Sequence, residues 1–209
     1  AVGGWEFKAY VLGTLFYRFI SENLTDYINR LQEEAGEVGF DYADLGDEEA
    51  EQAKEQMVQE KGFFILPSQL FVNVCKRCEH DENLNMTLAT IFKEIEASAV
   101  GTPSEDDLKG LFSDFNVDNS QLGADVKTRN RLIAKVLLKV RDMDLGSEFE
   151  ENKIDAFGDA YEFLMTMYAS NAGKSGGEFF TPQEVSELLA RLTAADGHEI
   201  RSVYDPACG

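Results

Sequence analysis

At 209 residues, 44% apolar and 28% charged, the chain can bury a sizeable core without disulfide or metal staples, and this composition excludes wholesale disorder. Nineteen Lys and Arg face 39 Asp and Glu for a formal charge of -20, an average field that repels a DNA backbone unless a local basic strip or another chain supplies the attraction. Three cysteines are too sparse for a secreted disulfide scaffold and point to a reducing cytoplasm, while Arg18 and Glu22 interrupt the first apolar segment and argue against membrane insertion.

In chain order, Lys8 to Leu31 reads as an amphipathic helix, with Val11, Leu12, Leu15, Phe16, Phe19, Ile20, Leu24 and Tyr27 at three- and four-residue spacing, ended by Gly36 and Gly39. Asp47 to Gln59 reads as one exposed polar helix opened by Asp47. Gly62 to Pro67 forms a short extended apolar element, after which Ser68 stands as N-cap for a helix from Gln69 to Arg77. Leu84 to Ala97 gives a helix built on Met86, Leu88, Ile91, Phe92 and Ile95, and Ser104 with Asp107 starts a short one through Leu111. Thr128 to Arg141 is a strong helix whose apolar face is Leu132, Ile133, Val136, Leu137 and Val140.

The other face of that helix carries the basic run Lys127, Arg129, Arg131, Lys135, Lys139 and Arg141. These cations suit DNA phosphates, but solvation and salt pairing within the chain or with another subunit has a modest edge.

Farther on, Ile154 to Tyr168 reads as an aromatic and methionine-rich helix, and the glycine-rich segment Ser170 to Gly177 breaks it. Thr181-Pro182 caps and starts a helix through Leu192, and Ile200 to Tyr204 reads as a buried strand. One strand and its preceding helix cannot cover a parallel sheet, so the stop at Gly209 is expected to truncate an α/β domain.

Two short motifs carry chemistry. Asp205-Pro206-Ala207-Cys208-Gly209 follows the expected strand, where an open α/β sheet binds cofactors and a glycine permits close backbone approach. Taken alone, Asp205 and Pro206 read first as a loop cap and turn. In Glu178-Phe179-Phe180-Thr181-Pro182, the Thr181 hydroxyl and the free N–H groups of the first helical turn suit an anionic group such as an amino-acid carboxylate. Phe179 and Phe180 suit an adenine-like ring, with ordinary core packing at least as strong a reading for each.

Taken together, Tyr10 to Ser21, Gly158 to Leu164, Lys174 to Pro182 and Asp205 to Gly209 resemble the N-side of the modification subunit of Type I restriction-modification systems, over nearly the whole chain. The resemblance implies a mainly α-helical N-terminal domain over residues 1–152. Residues 153–209 would then begin an α/β class I methyltransferase domain that uses S-adenosylmethionine. It implies that Phe180, Thr181, Pro182, Asp205, Pro206, Ala207 and Gly209 line the cofactor pocket. It further implies a specificity subunit, a second modification subunit, a restriction subunit and double-stranded DNA as partners, with sequence recognition left to the specificity subunit. The full-length protein would methylate adenine N6 by direct attack on the sulfonium methyl carbon. Members of the family also carry a later Asn-Pro-Pro-aromatic motif that receives the flipped base; it does not occur here, so no catalytic residue is assigned and the chain alone is expected to be inactive. The competing expectation is a helical protein-interaction or DNA-clamping module without catalysis.

Two further patterns suggest metals. Asp114, Asn116, Asp118, Ser120, Leu122 and Asp125 approach calcium-loop spacing, but Asn119 replaces the turn glycine, Leu122 takes a ligand position and Asp125 is shorter than the terminal glutamate. A surface turn is the better reading. Cys75, Cys78 and His80 fall short of a four-ligand zinc site, and Cys75 and Cys78 have ordinary core spacing. No metal is expected.

Overall fold

In the computed structural model, residues 4–143, 183–193 and 204 are described. The chain divides into two compact units, residues 1–158 and 159–209. No strand occurs among the described residues.

The first unit is built on α1 (Gly4–Glu34). Its periodic apolar face buries Val11, Leu15, Ile20, Leu24 and Ile28, and the same face buries Tyr10 and Tyr17, which hydropathy alone does not mark as core. Each tyrosine hydroxyl finds a carbonyl: Tyr10 donates to Asn116 (2.8 Å) and Tyr17 to Gln69. A buried phenol without such an acceptor is strongly disfavoured. Past Glu34 the chain leaves the helix through Gly36 and Gly39, both at positive φ.

The acidic segment forms two helices rather than one, α2 (Asp47–Gln52) and α3 (Lys54–Lys61), divided at Ala53, whose ψ is near zero. Each piece buries one residue, Ala50 in α2 and Met57 in α3. Asp47 does not cap α2. Gly46 occupies that position, and the Asp47 carboxylate accepts the Ser68 N–H at 2.9 Å. Ser68 itself lies in a 3-10 turn, Pro67–Gln69, and α4 (Phe71–Arg77) begins only after Leu70. The Phe71 N–H donates instead to the Ser21 hydroxyl of α1 at 3.2 Å, so a tertiary hydrogen bond replaces the expected local cap.

Helix α5 (Leu84–Ser98) buries Leu84, Leu88, Ile91, Phe92 and Ile95, whereas Met86 is 60% exposed because it falls on the opposite side of that face. Helix α6 (Glu105–Leu108) is shorter than expected: after Leu108 the backbone turns extended at Lys109. Helix α7 (Val126–Arg141) closes the unit by packing against α1, α4 and α5.

Aromatic rings fill the centre. Tyr17 meets Phe71 and Phe92 edge-on, with centroids 5.5 and 5.4 Å away. Phe92 stacks on Phe112 at 4.0 Å and meets Phe115 at 5.2 Å, and Phe115 also receives Tyr10 at 5.1 Å. Such pairs contribute about 0.5–1.5 kcal/mol each beyond buried area. Phe115 comes so close to α1 that a Cβ on Gly13 would lie 2.7 Å from its Cδ2.

Of the second unit, α8 (Gln183–Thr193) is described. Val185, Leu188, Leu189 and Leu192 recur at helical spacing along it and are exposed, and Arg191 pairs with Glu187 at 2.9 Å. The helix expected over Ile154 to Tyr168 lies outside the described residues. So does the strand expected over Ile200 to Tyr204, except Tyr204, which is exposed.

Candidate functional site

Helix α7 starts at Asp125, whose carboxylate accepts the Thr128 N–H at 2.8 Å and its hydroxyl at 2.9 Å. The Thr128 N–H bond is the main cause holding the Asp125 carboxyl below its usual range. The calcium-like spacing is thereby accounted for locally: Asp125 caps a helix, Leu122 is core, Asn116 and Asn119 close turns, and Asp118 accepts from Asn85. Among the described residues, no three His, Cys, Asp or Glu side chains are grouped to hold a metal.

From that cap, α7 turns Ile133, Ala134, Val136, Leu137 and Val140 inward and leaves Lys127, Arg131, Lys135 and Lys139 exposed. Four-residue spacing places these cations in one row, with about 6 Å of rise between neighbours and about 18 Å from end to end. None of the four makes an ion pair among the described residues. Arg129 differs: it is half-buried and donates to the Gly123 carbonyl at 3.1 Å, bracing the turn before α7. Arg141 lies at the end of the helix and pairs with Asp142 at 2.8 Å.

Asn130 points from α7 toward α5. Its side-chain oxygen accepts the Asn85 N–H at 3.1 Å, and its amide donates to the Glu82 carbonyl at 2.7 Å. Both asparagines are 5% exposed. Because Asn83, at the N-cap, makes no side-chain cap bond, Asn130 supplies to α5 an acceptor that its own sequence does not.

A cleft of ≈770 Å³ opens between α7 and the turn after α4. On one side stand Lys127, Arg131 and Lys135; on the other stand Glu79, Asp81 and Glu82. Asp81 is committed to the turn, accepting from the Asn83 N–H at 2.9 Å and the Thr87 hydroxyl at 2.7 Å. Glu79 and Glu82 are exposed and make no ion pair among the described residues. This acidic rim was missed in the sequence because it lies far from α7 along the chain, before the whole of α5 and α6.

Cys75 and Cys78 lie beneath this region, buried and unlinked. Burial pushes the Cys75 thiol up to about 12 and also raises that of Cys78, which opposes thiolate chemistry. His80 is exposed. The positions expected to line a cofactor pocket, Phe180, Thr181, Pro182, Asp205, Pro206, Ala207 and Gly209, lie outside the described residues, and α8 begins directly after Pro182.

The helical order over the first unit can now be set beside known proteins. The family model for the HsdM N-terminal domain matches residues 1–140. The chain belongs to that family. The model for N-6 DNA Methylase matches residues 152–209, immediately behind it. The Type I restriction enzyme MpnII methylase subunit of Mycoplasma pneumoniae is 50% identical over 215 residues, spanning 100% of this chain and 39% of that protein. The MjaIX methylase subunit of Methanocaldococcus jannaschii is 23% identical over 98% of this chain and 34% of its own length. Among solved structures, the type I restriction-modification methyltransferase subunit from Streptococcus thermophilus superposes with a TM-score of 0.70 at 24% identity, over 92% of this chain and 40% of that one. That likeness shows the fold. The resemblance to Type I modification subunits read from Tyr10 to Ser21, Gly158 to Leu164, Lys174 to Pro182 and Asp205 to Gly209 is therefore borne out by the two family models and the relatives, and the chain spans about two fifths of the relatives' length.

Proposed function

We propose that this chain is the N-terminal part of a Type I modification subunit that, at full length, methylates adenine N6 in DNA with S-adenosylmethionine. The observation that carries this reading is the order of the two family matches, HsdM N-terminal domain over 1–140 and N-6 DNA Methylase over 152–209. In this reading residues 1–152 form the helical domain, and 153–209 open an α/β class I methyltransferase domain.

S-adenosylmethionine supplies an electrophilic methyl group on sulfonium. The donor set suits its amino-acid and nucleoside parts. Thr181 and the first N–H groups of α8 would bind a carboxylate, Phe180 offers an apolar ring face, and Asp205 with the backbone of Pro206, Ala207 and Gly209 would hold polar edges at a strand end. Reception of the target base falls to residues beyond this chain, so the chain alone leaves DNA unmethylated. The helical domain acts in assembly with a specificity subunit, a second modification subunit and a restriction subunit around double-stranded DNA.

The test is transfer of labelled methyl from S-adenosylmethionine to DNA by the full-length protein together with its specificity subunit. Transfer is expected, with at least a hundredfold loss in Asp205→Ala. A full-length protein that assembles but neither binds S-adenosylmethionine nor methylates any duplex overturns the reading in favour of a non-catalytic helical module.

A further inference from the structure

We propose that the cleft between α7 and the Glu79–Glu82 turn is a protein-docking groove. Its occupant is a helical segment of the specificity subunit, bearing carboxylates along one edge and a basic side chain along the other. The partner's place in a Type I complex rests on the function proposed above; the chemistry of the groove rests on its two rims. Arg131 and Lys135 are exposed on one rim and Glu79 and Glu82 on the other, and none of the four makes an ion pair among the described residues. Opposite charges that line one cleft yet do not pair across it leave both rims available to whatever enters.

The cationic rim has a period of four residues, about 6 Å of helix rise. A helix lying alongside α7 with carboxylates at the same interval meets each cation in turn. The floor allows it to approach closely, because Ala134 and Cys78 are small and buried. A nucleic acid fits less well. Its phosphates match the α7 row, but a duplex lying on that row carries the same sign toward Glu79 and Glu82, on a chain whose net charge is already -20. A polyanion satisfies one rim and is repelled by the other, whereas a segment with two differently charged edges satisfies both.

The decisive variants reverse one rim at a time in the full-length protein: Arg131→Glu with Lys135→Glu, and Glu79→Lys with Glu82→Lys. All four side chains are exposed, so each double variant is expected to melt near the parent temperature. Assembly with the specificity subunit is measured by sedimentation, and DNA affinity by anisotropy at one fixed salt concentration. Docking predicts that both reversals, although opposite in sign, weaken assembly at least tenfold. The proposal is overturned if the acidic-rim reversal tightens DNA binding while the basic-rim reversal weakens it and assembly is untouched, which makes the row a phosphate surface. It is equally overturned if neither reversal changes assembly. Methyl transfer by the unaltered complex reports separately on the function.

Discussion

Arg18 of α1 donates from Nη1 to the carbonyl oxygen of Val140, 122 residues away, at 2.7 Å. The same nitrogen reaches the Met143 carbonyl at 3.0 Å, and Nε pairs with Glu22 at 2.7 Å. The Val140 carbonyl also accepts the Met143 N–H at 3.2 Å, so the guanidinium adds a second donor there, with a charge of the sign that favours a helix C-terminus. Arg18→Met keeps the stem and removes the donors, and is expected to cost about 2 kcal/mol in urea unfolding. Arg18→Lys should recover only part of this, since one ammonium cannot reproduce the fork. An unchanged unfolding midpoint in Arg18→Met would show that water replaces the guanidinium at no cost.

Gly13 and Gly62 are required for different reasons. An alanine Cβ at Gly13 would sit 2.7 Å from a Phe115 ring carbon, so Gly13→Ala is expected to destabilise by about 1–3 kcal/mol through overpacking. At Gly62, φ is +83° and the Cβ would lie 2.8 Å from that of Ser104. Gly62→Ala therefore adds left-handed strain of about 1–2 kcal/mol to a clash. Pairing it with Ser104→Gly should relieve the clash and leave the strain, a non-additivity readable in a double-mutant cycle. Gly46→Ala, with nothing within 4 Å and no positive φ, meets neither clash nor left-handed strain, and should cost only the roughly 0.5–1 kcal/mol by which alanine is a poorer N-cap for α2 than glycine.

Alkaline pH should unfold the first unit early. The Cys75 thiol rises from 9.0 to about 12, and burial also raises Tyr17 and Tyr42 above 10.0. For an acid whose folded value is raised, the unfolded chain loses its proton first. The associated stability is intact below about pH 9 and drains away as pH climbs toward 12. Urea midpoints measured from pH 7 to 11 should be level at first and then fall, and iodoacetamide at pH 8.5 should label Cys75 much more slowly in the native chain than in urea. Equal labelling rates would contradict the burial argument.

Asn130 joins α7 to the start of α5. Asn130→Leu should cost about 1–3 kcal/mol, because it orphans the Asn85 N–H and the Glu82 carbonyl in a region where both asparagines are 5% exposed. Hydrogen exchange at Asn85 should accelerate more than exchange at Ile95, ten residues further along α5. Uniform acceleration along the helix would mean that the whole unit opens together.

The cations of α7 divide by what they touch. Arg131→Gln and Lys135→Gln are expected to shift stability by less than about 0.5 kcal/mol, as exposed unpaired side chains do. Arg129→Gln should cost about 1 kcal/mol, since the half-buried guanidinium holds the Gly123 carbonyl. Thermal melts of the three variants suffice; equal losses at all three positions would refute the division.

Helices α1, α5 and α7 were legible because their apolar residues recur at three and four, and Leu15, Ile91 and Leu137 are buried where that period puts them. Tyr10 and Tyr17 were not read as core although Tyr27 was placed on the apolar face, since nothing local shows which phenols find acceptors such as the carbonyls of Asn116 and Gln69. The division at Ala53 was hidden in a stretch almost without apolar periodicity, where Ala50 and Met57 are the residues that become buried. Ser68 has the chemistry of a cap, but the cap partner of Phe71 comes from Ser21, fifty residues earlier. At the candidate site, the basic row on α7 was readable from its spacing of four. Its acidic counterpart at Glu79 and Glu82 was not, since nothing local in either segment announces the other.

The packing of α1 against α7 joins the first and last described helices of the unit, which has a consequence during synthesis. At roughly 5–20 residues per second, the interval between Arg18 and Val140 leaving the ribosome is roughly 6 to 25 s. Throughout that interval the strip of α1 that α7 will cover has no permanent neighbour, although Phe71 and Phe92 already reach Tyr17, so the nascent chain offers chaperones a binding surface that vanishes once α7 emerges.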